Sequence, residues 1–353
     1  MKKLIIPAIL IALSLISLLT LKNINDYFFN HQLVFFIIGL SLFLLASKIS
    51  SFFYFKHSLA IYVVANLLLL VTLFLGGGRG THRWINLGLV NLQTSQLTIP
   101  LIGLFLAQLA SLEKIKQFKF LSLVVFLILL PASLIFLQPD LGTSLWFLLP
   151  AGLTLFVSQA KLKHLLIFGL SGLIILTFAW QFLLKPYQKE RLVGFVGSTA
   201  TQEASPSVYN RSQALIAIGS GGFWGKGFGA GTQSQLKFLP EKQTDFIFAT
   251  LTEEGGLFLA FILLGLFGLL GGYLFYQASN KKQKLAGFER LFLFYLASLI
   301  SWQVFVNLGG NLGILPITGL PLPFVSYGGS AVVSWALALG IAQSITCNSH
   351  VQN

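Results

Sequence analysis

The sequence predicts an all-α polytopic membrane protein. About ten transmembrane helices are expected in one domain spanning 1–353, with one large extracellular loop at 185–245 between the seventh and eighth. Three observations predict this. The chain is 55% hydrophobic and 9% charged, whereas a soluble domain carries roughly 25% charge. Apolar runs long enough to span a bilayer, about 17–25 residues each, recur along its whole length. These runs are apolar all round instead of alternating, which argues against a β-barrel.

The first run, 4–21, follows Met1-Lys2-Lys3 and lacks a small-residue cleavage site, so it is expected to be retained as a signal-anchor helix. Spans follow at 32–49, 58–75, 93–111, 119–137, 143–158 and 163–184. Beyond the long loop they resume at 246–276, 290–308 and 322–346. Lys and Arg placement orients them. With both termini cytoplasmic, the inside segments hold Lys2, Lys3, Lys48, Lys56, Lys114, Lys116, Lys119, Lys161, Lys163, Lys281, Lys282, Lys284 and Arg290. The short outside loops at 22–31, 138–142 and 309–321 hold only Lys22, against Asp26 and Asp140. The remaining basic residues fall in two outside loops, 76–92 and 185–245, where the positive-inside rule is broken and a reason is needed. The net charge of +13 accompanies no RNA or DNA motif, so nucleic acid is not expected as a partner. Cys347 is the only cysteine, which leaves no disulfide framework or thiolate metal site, and no other metal-ligand set is read.

The long loop is polar and glycine-laced, but Leu215, Ile216, Ile218, Phe223, Trp224, Phe228, Leu236 and Phe238 punctuate it, unlike a disordered segment. Ordered loops of this length are usually functional. It ends at Asp245, which opens the eighth span. Either Asp245 caps that helix, or it is a carboxylate held at the membrane surface beside Glu241 and Lys242 as a general base. Asp140, between Pro139 and Gly142 in QPDLGTSL, reads as an Asx-type turn or as an acid at a cavity mouth. Glu253 and Glu254 lie two turns into the eighth span. They suit proton coupling in a transporter, or they sit under the interface hydrogen-bonded to loop backbone. Arg79, Arg83, Lys185, Lys189, Arg191, Arg211, Lys226, Lys237 and Lys242, scattered among glycines and aromatics, suit a phosphate or diphosphate headgroup; contact with anionic membrane lipids is the alternative. GSGGFWGKGFGAG is not a Walker A loop, since Ser220 and Gly227 stand where Gly and Ser/Thr are required. Its glycines read as close-approach backbone near substrate. Trp84, beside Arg83, is an interfacial anchor or a headgroup contact. Pro316, Pro321, Pro323, Gly328 and Gly329 break the approach to the last span, where irregular backbone is tolerated only against protein or a cavity.

Five strings, in order, resemble the SEDS family, the RodA/FtsW group of bacterial cell-wall polymerases: RWINLG, QPDLGTSL, LKPYQKERL, the run from IAIGSGGFWGKG through LPEKQTDFIFATLTEEGG, and GILPITGLPLPFVSYGGSA. GTQSQLKFLPE looks more like the RodA, or elongation, branch than the FtsW branch. The resemblance implies a peptidoglycan glycosyltransferase of the bacterial cytoplasmic membrane, with its active site on the outer face. It would polymerise lipid II and work with a class B penicillin-binding protein. It also implies that Asp245 is catalytic and that Trp84 is functionally sensitive. One departure stands out. Where the family has QPSEL followed by Lys, this chain has Gln96 and Ile99, so an ion pair on one helix face is absent as a unit. Replacing both members of such a pair can be neutral.

The expected chemistry needs one carboxylate. The donor sugar is α-linked to a diphosphate and the product is β-1,4, so one inverting displacement suffices, with a leaving group that needs positive charge and no second acid. Asp245 would deprotonate the acceptor hydroxyl. Lys185, Arg191, Arg211 and Lys226, or a divalent cation (Mg or Mn), would hold the diphosphate. Trp84, Arg83, Asp140, Glu241, Lys242 and Ser326 complete the expected substrate contacts. The competing expectation is a lipid II flippase using Glu253, Glu254 and Asp140, although the paired broken helices of internal repeats are missing from the sequence.

Overall fold

The computed structural model describes residues 2–77, 82–86, 88, 91–182, 189, 206–236, 238–280 and 285–348. It is nearly all helical. The apolar runs form α1 (Lys2–Ile24), α2 (Asp26–Lys48), α3 (Ser51–Leu75), α4 (Thr94–Ala110), α5 (Phe118–Leu137), α6 (Leu141–Val157) and α7 (Leu162–Phe182). After the polar loop come α10 (Ile247–Ser279), α11 (Gly287–Asn311) and α12 (Gly329–Asn348). Among the described residues, seven helices are long and apolar enough to cross a membrane, and Thr94–Ala110, Leu141–Val157 and Leu162–Ile174 are shorter apolar helices. An apolar helix therefore stands at each expected position. The last begins at Gly329 rather than 322, because Pro321, Pro323 and Gly328 keep the preceding strap, 312–328, out of helical geometry.

The polar segments also carry structure that the apolar pattern could not show. The loop after α3 forms an antiparallel hairpin, β1 (Trp84–Asn86) with β2 (Asn91–Gln93), pairing Trp84 with Gln93. The fold is thus not purely α. The long loop contains α8 (Pro206–Gly221) and the short α9 (Thr232–Gln235). Helix α8 buries Ala214 and Ala217 against Leu239, Phe246 and Ala249, which docks the loop on the N-terminal end of α10.

The core is central to the bundle. Of the apolar windows in α11 and α12, 78% and 83% of residues are buried, against 17–39% in the other long helices, so these two helices are enclosed by the rest. Buried tryptophans tie them to their neighbours. Trp146 donates to the Leu299 carbonyl at 3.2 Å, and Trp335 donates to Gln303 Oε1 at 3.2 Å. The indole N–H needs such an acceptor once removed from water.

Helix α10 is bent where it meets the loop. Gly256 has φ +70° and ψ −176° within an otherwise helical run. There the loop backbone lies across the helix: Leu257 and Phe258 N–H donate to the Gly222 and Phe223 carbonyls at 2.9 and 3.0 Å. A Cβ at Gly256 would stand 2.3 Å from the Phe223 carbonyl oxygen, so both the dihedral and the close approach demand glycine.

Candidate active site

Asp245 lies in one wall of a shallow cleft open to solvent, lined also by Phe246, Asn307, Gly310, Asn311 and Ile317–Leu320. The carboxylate is half-buried and its Oδ2 faces Gly319, 3.8 Å from where a Cβ would be. The backbone around it is held from three directions. Asn311 Nδ2 donates to the Asp245 carbonyl at 2.9 Å, and Asn307 Nδ2 reaches it at 3.3 Å while donating to the Leu320 carbonyl at 2.8 Å. Ser326 Oγ donates to the Thr244 carbonyl at 2.7 Å, and the Tyr327 N–H to the Gln243 carbonyl at 2.8 Å. Gln32 of α2 in turn fixes this part of the strap, donating to the Ser326 carbonyl and accepting from the Gly328 N–H, both at 3.1 Å. Asp245 is not at the cap position: that residue is Phe246, whose own side chain makes no capping bond.

Asp140 does cap, with Oδ1 accepting from the Thr143 N–H at 3.3 Å at the start of α6. It is also paired. Arg83 approaches Asp140 Oδ1 at 3.7 Å and donates to the Gln138 and Pro139 carbonyls, while Gln93 Nε2 donates to Asp140 Oδ2 at 3.3 Å. With Asp140 buried and Arg83 about one quarter exposed, the pair is shielded on one side only. This cluster touches the cleft through the strap. Gly142, two residues beyond Asp140, has no Cβ, and one placed there would stand 2.6 Å from the Thr318 carbonyl oxygen. Thr318 therefore packs on α6 while its neighbour Gly319 faces Asp245, so the PDLG turn, the strap and Asp245 meet in one region.

The other expected site residues are placed as follows. Glu241 shapes the turn before Asp245, accepting the Thr244 and Phe246 N–H groups at its carbonyl and the Thr244 hydroxyl at its carboxylate. Lys242 donates to the Ser234 carbonyl. Ser326 works on backbone, as above. Arg211 lays its aliphatic stem against Gly313, in the strap beyond the cleft. Trp84 is 37% exposed on β1, next to Arg83. Lys226 lies outside the cleft lining and bonds Glu253 at 2.9 Å. Lys185 and Arg191 lie outside the described residues, as do Arg79 and Lys237.

Lys226 belongs to a separate cluster. Buried Glu253 accepts from Lys226, the Thr232 hydroxyl and the Gln233 and Ser234 N–H groups at 2.8–3.2 Å. The Lys226 and Gly227 N–H groups donate to the Glu253 and Glu254 carbonyls. Of the two sequence readings for Glu253, attachment to loop backbone is the one the bonds support. The glycine run packs on α10 around this carboxylate and does not line the cleft. Sequence reasoning missed Asn307 and Asn311. Their signal was available: two amides one turn apart in an apolar run, where polar side chains usually face a cavity or a partner.

Residues 3–351 match the family model for FtsW, RodA and SpoVE, described as a cell cycle protein. The chain is similar to the peptidoglycan glycosyltransferase MrdB of Escherichia coli K12, 37% identical over 292 residues that cover 81% of this chain and 76% of that protein. Among solved structures, a chain from work described as "Structural coordination of polymerization and crosslinking by a peptidoglycan synthase complex" matches with TM-score 0.81 at 30% identity, covering 98% of this chain and 97% of that one. The crystal structure of the Thermus thermophilus rod shape determining protein RodA matches with TM-score 0.69 at 28% identity, covering 97% and 95%.

Proposed function

The chain belongs to the FtsW/RodA/SpoVE family of cell cycle proteins, the SEDS group its motifs resemble, and from that premise we propose how its residues polymerise lipid II. It is a multi-pass membrane peptidoglycan glycosyltransferase acting in cell-wall synthesis. Its ten apolar helices cross the bacterial cytoplasmic membrane as one domain, with both termini inside, and the 185–245 loop and the cleft face outward. The basic residues that break the positive-inside rule there support this orientation.

Asp245 is the general base. It takes the proton of the acceptor sugar's 4-hydroxyl as that oxygen bonds to the anomeric carbon of the donor. The bond from that carbon to the diphosphate breaks on the opposite face, and undecaprenyl diphosphate leaves with the electron pair, so the linkage inverts. Arg211 at the strap, with Lys185 and Arg191, balances the diphosphate charge. Arg83 and Asp140 hold the opposite side of the strap. Among the described residues no three His, Cys, Asp or Glu side chains come together. A Mg or Mn ion would therefore be held chiefly by diphosphate oxygens, a common mode for Mg, and would supply neutralising charge. A class B penicillin-binding protein is the expected crosslinking partner, in keeping with the synthase complex to which the chain is similar.

One observation carries the assignment: Asp245 is the carboxylate in the cleft wall, with its backbone pinned by Asn307, Asn311 and Ser326-anchored neighbours. Purified protein in detergent, given labelled lipid II, should make glycan chains, and Asp245→Asn should make none while remaining folded. Polymer from the Asp245→Asn protein would remove Asp245 from the mechanism. Polymer from the unaltered protein separates it from a flippase, because detergent has no two sides.

A further inference from the structure

The first turn of α10 has amides that need acceptors. The residue at its cap position, Phe246, has none to offer, and an aspartate at a helix start ordinarily supplies one. Here the acceptor comes from another helix. The Ala249 N–H donates to Asn311 Oδ1 of α11 at 3.3 Å. The same Asn311 side chain donates to the Asp245 carbonyl and to the Asn307 carbonyl, both at 2.9 Å, and is 1% exposed. One buried amide thus grips the helix start on both sides, by the residue before the cap and by the third residue after it. Meanwhile the Asp245 carboxylate faces Gly319 in the cleft.

We propose that Asn311 is a positioning residue: by capping α10 from a neighbouring helix, it keeps the Asp245 carboxylate turned into the cleft instead of onto the first-turn amides. Asn307 has a different share of the work. It joins the Asp245 carbonyl to the strap through Leu320 and leaves the Ala249 amide untouched. When Asn311 is removed, the Ala249 N–H loses its acceptor, and the adjacent carboxylate that can replace it is Asp245. The helix keeps a cap and the cleft loses its base. This inference rests on the reading of Asp245 as the base, but its stability arm does not.

The test combines Asn311→Ala and Asp245→Ala, singly and together, in purified full-length protein, with thermal midpoints in detergent and lipid II polymerisation as readouts. Asn311→Ala should lower kcat on the order of 100-fold, as misplacement of a catalytic group does, with KM for lipid II little changed. Asp245→Ala should leave the midpoint nearly unaltered in the parent. In the Asn311→Ala background it should lower the midpoint by about 1–2 °C, the effect of losing one helix cap in a chain of this length. In an Asn307→Ala background, where the cap persists, no such extra drop should occur. Additive midpoint shifts for Asn311→Ala and Asp245→Ala would overturn the proposal, as would an Asn311→Ala protein with parental kcat. Polymer made by Asp245→Ala would instead overturn the base assignment while leaving the stability coupling standing. If Asn311→Ala does not fold, Asn311→Ser, which retains a small polar side chain, should show the same coupling in weaker form, and additivity there would also overturn the proposal.

Discussion

Replacing Gln96 with leucine should stabilise the protein. Gln96 stands on α4 where the family carries an acid, and Ile99 stands where the family carries its basic partner. Gln96 is 2% exposed, and neither its amide oxygen nor its amide nitrogen bonds a protein group; only its backbone carbonyl is used, by Ser334 Oγ at 2.6 Å. A buried polar group left unsatisfied costs about 1–3 kcal/mol. Leucine removes both orphaned atoms at similar volume and keeps the backbone bond, so a gain of about 2 kcal/mol is expected. The assay is the thermal midpoint of purified protein in detergent, with lipid II polymerisation as the control that the cleft is intact. The companion variants sharpen the test. Gln96→Glu alone buries a charge beside fully buried Ile99 and should cost about 3–5 kcal/mol, and adding Ile99→Lys should recover most of that loss. A Gln96→Leu protein less stable than its parent would refute the reasoning, because it would mean the amide satisfies a group inside the bundle.

Three further outcomes are expected. Gly142→Ala places a methyl 2.6 Å from the Thr318 carbonyl and must push the strap; kcat should fall on the order of 10–100-fold with little loss of stability, read in the same polymerisation assay. Asp140→Ala removes both the α6 cap and the partner of Arg83 and should lower stability by about 1–2 kcal/mol, whereas Asp140→Asn, which can still cap, should cost less; thermal midpoints of the two variants decide. Glu253→Gln turns an amide N–H₂ toward donors now satisfied by carboxylate oxygens and should cost about 3 kcal/mol. Limited proteolysis of the 222–236 segment should accelerate in that variant.

The helices were legible because every run long and apolar enough to enter a membrane is helical in the fold, but the start of the last was set too early at 322, since apolar character continues through Pro323 to Gly328 where the backbone is not helical. Asp245 and Asp140 were legible as acids in polar turns, although only the structure shows that Asp140 caps a helix and Asp245 does not. The hairpin at Trp84 was not legible, since three-residue strands are too short to show alternation. Lys226 misled for a related reason: a cation among glycines looks like an anion site, and its partner Glu253 lies 27 residues away, inside an apolar helix beyond the end of the loop. Asn307 and Asn311 were hidden in an apolar run. Their role depends on which backbone carbonyl faces them, a matter of packing between α10 and α11.

The bend at Gly256 also acts as a ruler. Below it, 257–279 rises about 34 Å at 1.5 Å per residue, close to the roughly 30 Å of a hydrocarbon core. Phe223, Trp224 and Phe258 cluster at the level of the bend with their rings largely exposed, the composition of a bilayer's aromatic belt. Above the bend the chain returns to α11, where Asn307 and Asn311 hold the Asp245 carbonyl, and α11 itself rises about 36 Å from Gly287 to Asn311 at 1.5 Å per residue. In the orientation proposed above, that length would set Asp245 near the boundary of the hydrocarbon core, where the diphosphate and first sugar of a membrane-anchored donor would lie. In that orientation the length of α11, through the two asparagines near its end, would set which part of a long substrate is presented to the base.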